Sequence, residues 1–204
     1  GGGDRARLVD RPLLLLDADT PTNPDDLRQV TDRLYGGGGE HRLLQELLLG
    51  VGGVRAVRAW CELTGTPNPE VYHTNEGHAG FQGLERMSEL IVEAGLSFDQ
   101  ALAQVRASTV FTTHTPVPAG IDRFPRDLVT TYLRSPLFTA LPPEPALDLG
   151  LESYPGGDPH VFNMAVLGLH LGQHANGVSL LHGAVSRRMF GSLWPGVDTD
   201  EVPI

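Results

Sequence analysis

Two polar loops joined by a helical hairpin, between Val71 and Gly120, constrain the fold more than any other part of this sequence. Val71-Tyr72-His73-Thr74 gives way to the polar cluster Asn75-Glu76-Gly77-His78, and then to a helix-like pattern. Ser108-Thr109-Val110-Phe111-Thr112-Thr113 is β-branched and aromatic, reads as a strand, and empties into the Pro/Gly loop from His114 to Gly120. Between them Leu84, Met87, Leu90, Ile91 and Ala94 recur at helical spacing, and Gly95 offers a stop. Ser97 with Gln100 makes a capping box for a second helix carrying Phe98, Ala101, Leu102 and Val105. Strand, helix, helix, strand predicts a parallel crossover and an α/β fold, with Val71–His73 and Val110–Thr113 as buried strands. In such sheets ligands bind outside the carboxyl ends of the strands, so the two loops are expected on one edge, sharing a pocket.

The remaining chain adds shorter signals. Leu13–Leu16 reads as a buried strand that runs into the turn-rich Asp17–Asp26, where Asp17 is expected to cap a turn. Four glycines, Gly36–Gly39, cannot hold one conformation cheaply and read as a gate or a linker. From His41 to Trp60 an apolar stripe at helical spacing is interrupted by Gly50, Gly52 and Gly53, which predicts either a helix break or a second backbone packed against that face. The prolines and glycines from Pro136 to Gly157 read as a surface excursion. Val161–Phe190 reads as two helices divided at Asn176-Gly177.

With 204 residues the chain is long enough for one domain, and its formal net charge of -10 carries no block of like charge. That balance argues against nucleic-acid and anionic-membrane partners, while a neutral polyol is compatible with it. No apolar run is long enough to cross a bilayer and no signal-like start is visible, so the expected location is cytoplasmic. The lone Cys61 is expected to be a small buried hydrophobe. All 15 basic side chains are arginine, so this chain offers no lysine amine for a Schiff base.

Eight histidines are the obvious candidates for metal or acid/base chemistry. His73 and His78, with Glu76 between them, lack the one-face spacing of a helical zinc site, and His170 with His174 has no partner carboxylate in pattern, so no metal is expected. His78 and His114 differ because each sits in a loop at a predicted strand end among hydrogen-bonding neighbours. Sugar sites are built from such donors and acceptors. The bland alternative makes His78 a helix cap and His114 a satisfied core side chain.

At these residues the sequence resembles the α-glucan phosphorylases, which degrade glycogen and maltodextrins. Asn75-Glu76-Gly77-His78 is similar to the family's Asn-(Asp/Glu)-X-His cluster, and Thr113-His114-Thr115 with Pro118 to its His-Thr…Pro loop. Arg33-Leu34-Tyr35-Gly36, a helix start at Gln45-Glu46, Gly52-Gly53-Val54-Arg55-Ala56, Asn163-Met164-Ala165 and Asn176-Gly177-Val178-Ser179 with Leu181-His182-Gly183 follow in the family's order. The resemblance runs from about Arg11 to the end of the chain. It departs at Gly36–Gly39, where the family carries polar side chains, and at Leu180, where it carries a basic one.

This resemblance implies part of the N-terminal Rossmann-like domain of a two-domain GT-B glycosyltransferase, lacking that domain's start and the cofactor domain. It implies release of glucose 1-phosphate from the non-reducing end of an α-1,4-glucan by inorganic phosphate, and a homodimer is among the assemblies it allows. His114 is then the catalytic-site residue, with Thr115 beside it at the transferred glucosyl unit, and Asn75, Glu76 and His78 face the acceptor chain. Asn176 and His182 hold a helix against the sheet. Pyridoxal phosphate would be held by a lysine of the second domain, so no cofactor-binding residue and no activity are expected of this chain alone. A nucleotide-sugar-dependent glucan synthase of the same fold and a non-catalytic glucan-binding remnant are the alternatives.

Overall fold

The computed structural model describes residues 12–33 and 37–204. The first eleven residues and Leu34-Tyr35-Gly36, including the start of the glycine run, lie outside the described residues. A short helix α1 (Asp25–Arg28) precedes the helix α2 (Gly39–Leu47), which continues through a π-turn over Leu48–Gly52 into α3 (Gly53–Thr64). The interrupting glycines therefore mark a change of helical pitch without ending the helix. Gly50 also meets the expectation of a second backbone, since a Cβ there would come within 2.8 Å of the Gln82 amide nitrogen and of Phe81 Cβ. The helix start at Gln45-Glu46 is corrected, because α2 already begins at Gly39.

The central unit forms as expected. Strand β1 (Tyr72–Asn75) is followed by α4 (Phe81–Ala94), α5 (Phe98–Ala107) and β2 (Thr109–Thr113), and β1 and β2 pair in parallel with Asn75 opposite Thr112. Gly95 stops α4 in the left-handed region at φ 65°, which glycine adopts without a Cβ penalty. Both reciprocal bonds of the Ser97/Gln100 capping box are present.

Several expectations are corrected. β1 is not buried as a whole: Val71 is 63% exposed, His73 and Asn75 are exposed, and Thr74 alone is buried. Among the described residues it pairs only with β2, at the sheet's edge. Leu13–Leu16 forms no strand and leaves Leu13 and Leu15 largely exposed. The segment read as two helices divided at Asn176-Gly177 contains α8 (Met164–Leu171), a third parallel strand β5 (His174–Gly177) beside β2, and α9 (Leu180–Phe190). A two-stranded antiparallel sheet, β3 (Arg123–Pro125) with β4 (Val161–Asn163), lies apart from the parallel one.

The Pro136–Gly157 stretch is not a surface excursion. Together with α6 (Arg126–Leu133) and α7 (Pro143–Asp148) it places Phe138, Leu141, Ala146, Leu147 and Leu151 in the main core. Pro143 opens α7 at its first turn, where a missing N–H costs nothing. That core joins Leu43, Leu47, Phe81, Leu84 and Met87 to Phe162, Met164 and Leu167. A smaller cluster packs Phe111 with Ala165, Leu169 and Phe190.

The glycines of the α2–α3 helix respond to substitution in opposite directions. Gly50→Ala drives a methyl into the α4 main chain and should cost about 1–3 kcal/mol, the usual penalty for overpacking. Gly53→Ala meets nothing within 4 Å and should gain about 0.5–1 kcal/mol from helix propensity. Urea unfolding of the two variants reads the difference; the same sign for both would contradict this packing.

Candidate functional site

Parallel pairing of β1, β2 and β5 puts their carboxyl ends on one edge of the sheet. The Asn75–His78 loop and the His114–Thr115 loop therefore leave from neighbouring strands on the same edge, as expected. The two loops are also bonded to each other. Glu76 donates its N–H to the Thr112 carbonyl (2.8 Å), and its Oε1 accepts from Thr113 Oγ1 (3.0 Å), from the Thr115 amide (2.7 Å) and from the His114 amide. Glu76 is buried at 9% exposure and is the only described non-glycine residue with positive φ (φ 64°, ψ -173°). Such backbone strain costs about 1–3 kcal/mol, while hydrogen bonds to a charged group are worth about 1.5–3 kcal/mol each, so three of them offset it.

This gives Glu76 an internal set of partners where the sequence placed it facing a ligand. Asn75 and His114 are exposed at the edge, and Thr115 is half-buried. His114 is therefore not a satisfied core histidine.

His78 does not cap a helix. It sits in a cluster with Arg42 and Glu46, one helical turn apart on α2, and with Asp122 from the loop after β2. Arg42 Nη2 lies 3.0 Å from Glu46 Oε1, 3.1 Å from His78 Nδ1 and 2.8 Å from Asp122 Oδ2. His78 Nδ1 is 3.2 Å from Asp122 Oδ2 and 3.5 Å from Glu46 Oε1. With the Asp122 carboxylate as its first partner and the Glu46 oxygen as its second, Nδ1 carries a proton and donates, and the Arg42 contact is a tolerated neighbour.

The hydrogen bonds to Asp122 and then Glu46 outweigh partial burial and raise the His78 pKa to about 9. Burial drives Glu46 up to about 8, against the opposing bond from His78. Its Oε2 is buried without a partner, which also favours the neutral acid, since a charge there would be left unpaired. Burial alone would raise Asp122 as well, but the hydrogen bonds from His78 and Arg42 hold its carboxyl well below the usual range.

Donor atoms of Glu46, His78 and Asp122 lie within 4.8 Å of one another, a spacing that could hold a cation. The Arg42 guanidinium lies among the three, 3.0 Å from Glu46 Oε1, 3.1 Å from His78 Nδ1 and 2.8 Å from Asp122 Oδ2, so a cationic side chain already sits at that position. The other histidine pairs considered for metal are taken apart by the fold. His73 bonds Thr112 Oγ1 (2.7 Å), His170 bonds the Leu149 carbonyl (2.6 Å), and His174 lies in β5 and not on the helix of His170.

Arg42, Glu46 and His78 of this cluster line a cleft of about 850 Å³ whose wall is otherwise largely apolar, with Leu14, Leu16, Val57, Trp60 and Pro67. A wider cleft of about 1330 Å³ opens at the other end of the strands, beside Tyr72 and Ser108. Neither is lined by His114, which stands at the open carboxyl edge. Arg42, Glu46 and Asp122 were not among the site residues read from the sequence. A legible signal existed for the first two, a charged i,i+4 pair within an otherwise apolar stripe, whereas Asp122 follows no pattern.

Among the described residues the side chains of Asn176 and His182 make no bond between helix and sheet: Asn176 is exposed and bonds within the sheet, and His182 bonds within its own helix. Asn176 Oδ1 accepts from Thr112 Oγ1 (3.0 Å), and His182 is buried on α9 beside Ser186. A Cβ at Gly177 would come within 2.4 Å of the Gly183 amide nitrogen, so helix and strand are in backbone contact.

No family model matches the chain. Individual proteins do match. It is 60% identical over 95% of its length to the glycogen phosphorylase of Mycobacterium tuberculosis (strain ATCC 25618 / H37Rv). It is 43% identical over 94% to the maltodextrin phosphorylase of Thermococcus litoralis, and 29% identical over 89% to the glycogen phosphorylase of Aquifex aeolicus. The fold and the two bonded loops define an α/β segment with a polar site at the strand ends. That segment belongs to the α-glucan phosphorylase family. The chain spans 23% of the length of the mycobacterial relative and 22% of the archaeal one.

The charge cluster generates a pH dependence whose sign is fixed. A folded pKa near 9 for His78 means that its stabilisation is complete below its ordinary value of 6.5 and is lost as pH rises towards 9. Glu46, raised to about 8, loses stability in the same direction between its ordinary 4.5 and 8. The full His78 shift would correspond to about 3 kcal/mol, which solvent screening of a side chain 34% exposed reduces to about 1–2 kcal/mol. The melting temperature should therefore fall from pH 6.5 to 9.5, and His78→Gln should flatten the upper part of that slope. A parent profile that is level or rising over this range would contradict the assignment.

Proposed function

We propose that the full-length protein carrying this chain is an α-1,4-glucan phosphorylase, transferring the terminal glucosyl unit of glycogen or maltodextrin to inorganic phosphate with retention. The observation that carries the reading is 60% identity over 95% of the chain to a protein named glycogen phosphorylase, supported by 43% identity to a maltodextrin phosphorylase. In this reading the chain is part of the N-terminal Rossmann-like domain of a two-domain GT-B enzyme. The three-stranded parallel sheet with its open carboxyl edge is compatible with that placement. No helix among the described residues is long and apolar enough to cross a membrane.

His114 and Thr115 line the position of the transferred glucosyl unit, and Asn75 and His78 face the glucan chain. The exposed His114 imidazole can exchange hydrogen bonds with a sugar hydroxyl, whereas a protonated His78 donates to a sugar oxygen without accepting. Pyridoxal phosphate, held in the remainder of the enzyme, would supply a phosphate group to relay a proton through inorganic phosphate. This chain has no lysine, hence no side-chain amine to hold the cofactor as an imine, and its own residues bind and orient the sugar.

In the full-length protein, His114→Ala should lower phosphorolysis of a maltodextrin about ten- to a hundredfold, the equivalent of a lost interaction of about 1–3 kcal/mol in the transition state. His174→Ala, an exposed histidine at the amino end of β5, should change it little. Because His114 is exposed, melting temperatures should match the parent; equal kinetics for His114→Ala and parent would remove the assignment. The isolated chain, incubated with pyridoxal phosphate and reduced with borohydride, should show no phosphopyridoxyl-lysine adduct by mass spectrometry. It should also be inactive towards glucan.

A further inference from the structure

We propose that Glu76 is a positioning residue of this site, holding the backbone of His114 and Thr115 in place and leaving direct contact with the glucan to its neighbours. The inference rests on the phosphorylase reading above. Three observations carry it. The first is the number of donors on one oxygen, since Thr113 Oγ1 and the consecutive amides of His114 and Thr115 all converge on Glu76 Oε1. An oxygen so occupied is committed to holding the loop.

The second is the backbone of Glu76, at φ 64° and ψ -173° in a region that is essentially reserved for glycine. Glycine would make the turn without strain, so the glutamate side chain is retained there for what it holds. The third is the loop it holds. Pro116 and Pro118 have no N–H to donate, and between Thr113 and Val117 the described backbone donors are anchored at Glu76 and nowhere else. Without that carboxylate the two amides lose their acceptor, and the imidazole of His114 loses the fixed base from which it meets the substrate. Displacements of about 1 Å in such a group can cost about a hundredfold in rate.

The test uses the full-length protein with Glu76→Gln and Thr113→Val. The probes are a maltodextrin with inorganic phosphate, and amide hydrogen exchange of the peptide spanning 112–117. Glu76→Gln keeps one weaker acceptor and should lower kcat about ten- to thirtyfold, with KM for the maltodextrin within about twofold of the parent. Exchange at His114 and Thr115 should be faster. Thr113→Val removes one donor at nearly constant volume and should lower kcat about two- to tenfold, and it decides the matter if Glu76→Gln does not fold.

A loss confined to KM would mean that Glu76 touches the glucan, and it would overturn the proposal. So would unchanged kcat with faster exchange, or unchanged exchange with lowered kcat. A parent that folds but phosphorolyses no glucan would remove the functional reading, and with it the catalytic role of Glu76. The exchange data would then still decide, independently, whether the carboxylate holds the loop.

Discussion

Helix α8 is the element on which the rest of the structure depends. It is apolar but for His170, with Met164 to Leu169 and Leu171 buried, and it separates the two cores while belonging to both. Met164, Leu167 and Leu171 face the large cluster, and Ala165 and Leu169 face the small one. A Cβ on Gly168 would come within 2.3 Å of the Phe111 ring, and one on Gly77 within 2.6 Å of Met164 Cβ, so strand β2 and the loop after β1 both lie directly on this helix. Its start is fixed by Asn163, whose Oδ1 accepts from the Ala165 and Val166 amides while its Nδ2 donates to Glu152. A side chain at either glycine would lift a strand end off the helix, and with it one of the two site loops.

Electrostatics at the site follow from the same closeness. Burying Glu46 at 1% exposure would be costly as an unpaired charge, and the structure responds by placing Arg42 and His78 against it and by raising its pKa. Arg42 serves four acceptor oxygens on three residues, Glu46 Oε1, Gln45 Oε1 and both oxygens of Asp122. Its planar fork suits that role better than an ammonium would. The groups around His78 are thus set by one another, and that interdependence ties α2, the β1 loop and the β2 loop into one unit.

Local signals in the sequence were legible and nonlocal ones were not. The α4–α5 hairpin could be read because its stop and its cap, Gly95 and Ser97 with Gln100, act within a few residues. Strand β5 could not, because His174-Ala175-Asn176-Gly177 has no β-branched residue and is extended by pairing with β2, more than sixty positions earlier. Leu13–Leu16 misled in the opposite direction, since an apolar run becomes a strand only when a partner strand is there to receive it. Pro143 misled because a proline that breaks a helix interior is at home at its first turn. At the site, the same-edge placement of the two loops followed from parallel pairing. The bonding that joins them did not, because side-chain spacing carries no record of a carboxylate turned back on a neighbouring strand.

A neutral polymer of hydroxyl groups asks for many modest hydrogen bonds, each with its geometry already set, because a mobile donor forfeits in entropy what it gains in contact. In the proposed reading, the carboxyl edge of this sheet meets that requirement by dividing the labour. Exposed Asn75 and His114 and half-buried Thr115 are left available, while Glu76 bonds the backbone of the second loop and Arg42 bonds Glu46 and Asp122. The charged residues nearest the two loops thus hold the frame, and the smaller polar side chains and the histidine in front of them are left accessible.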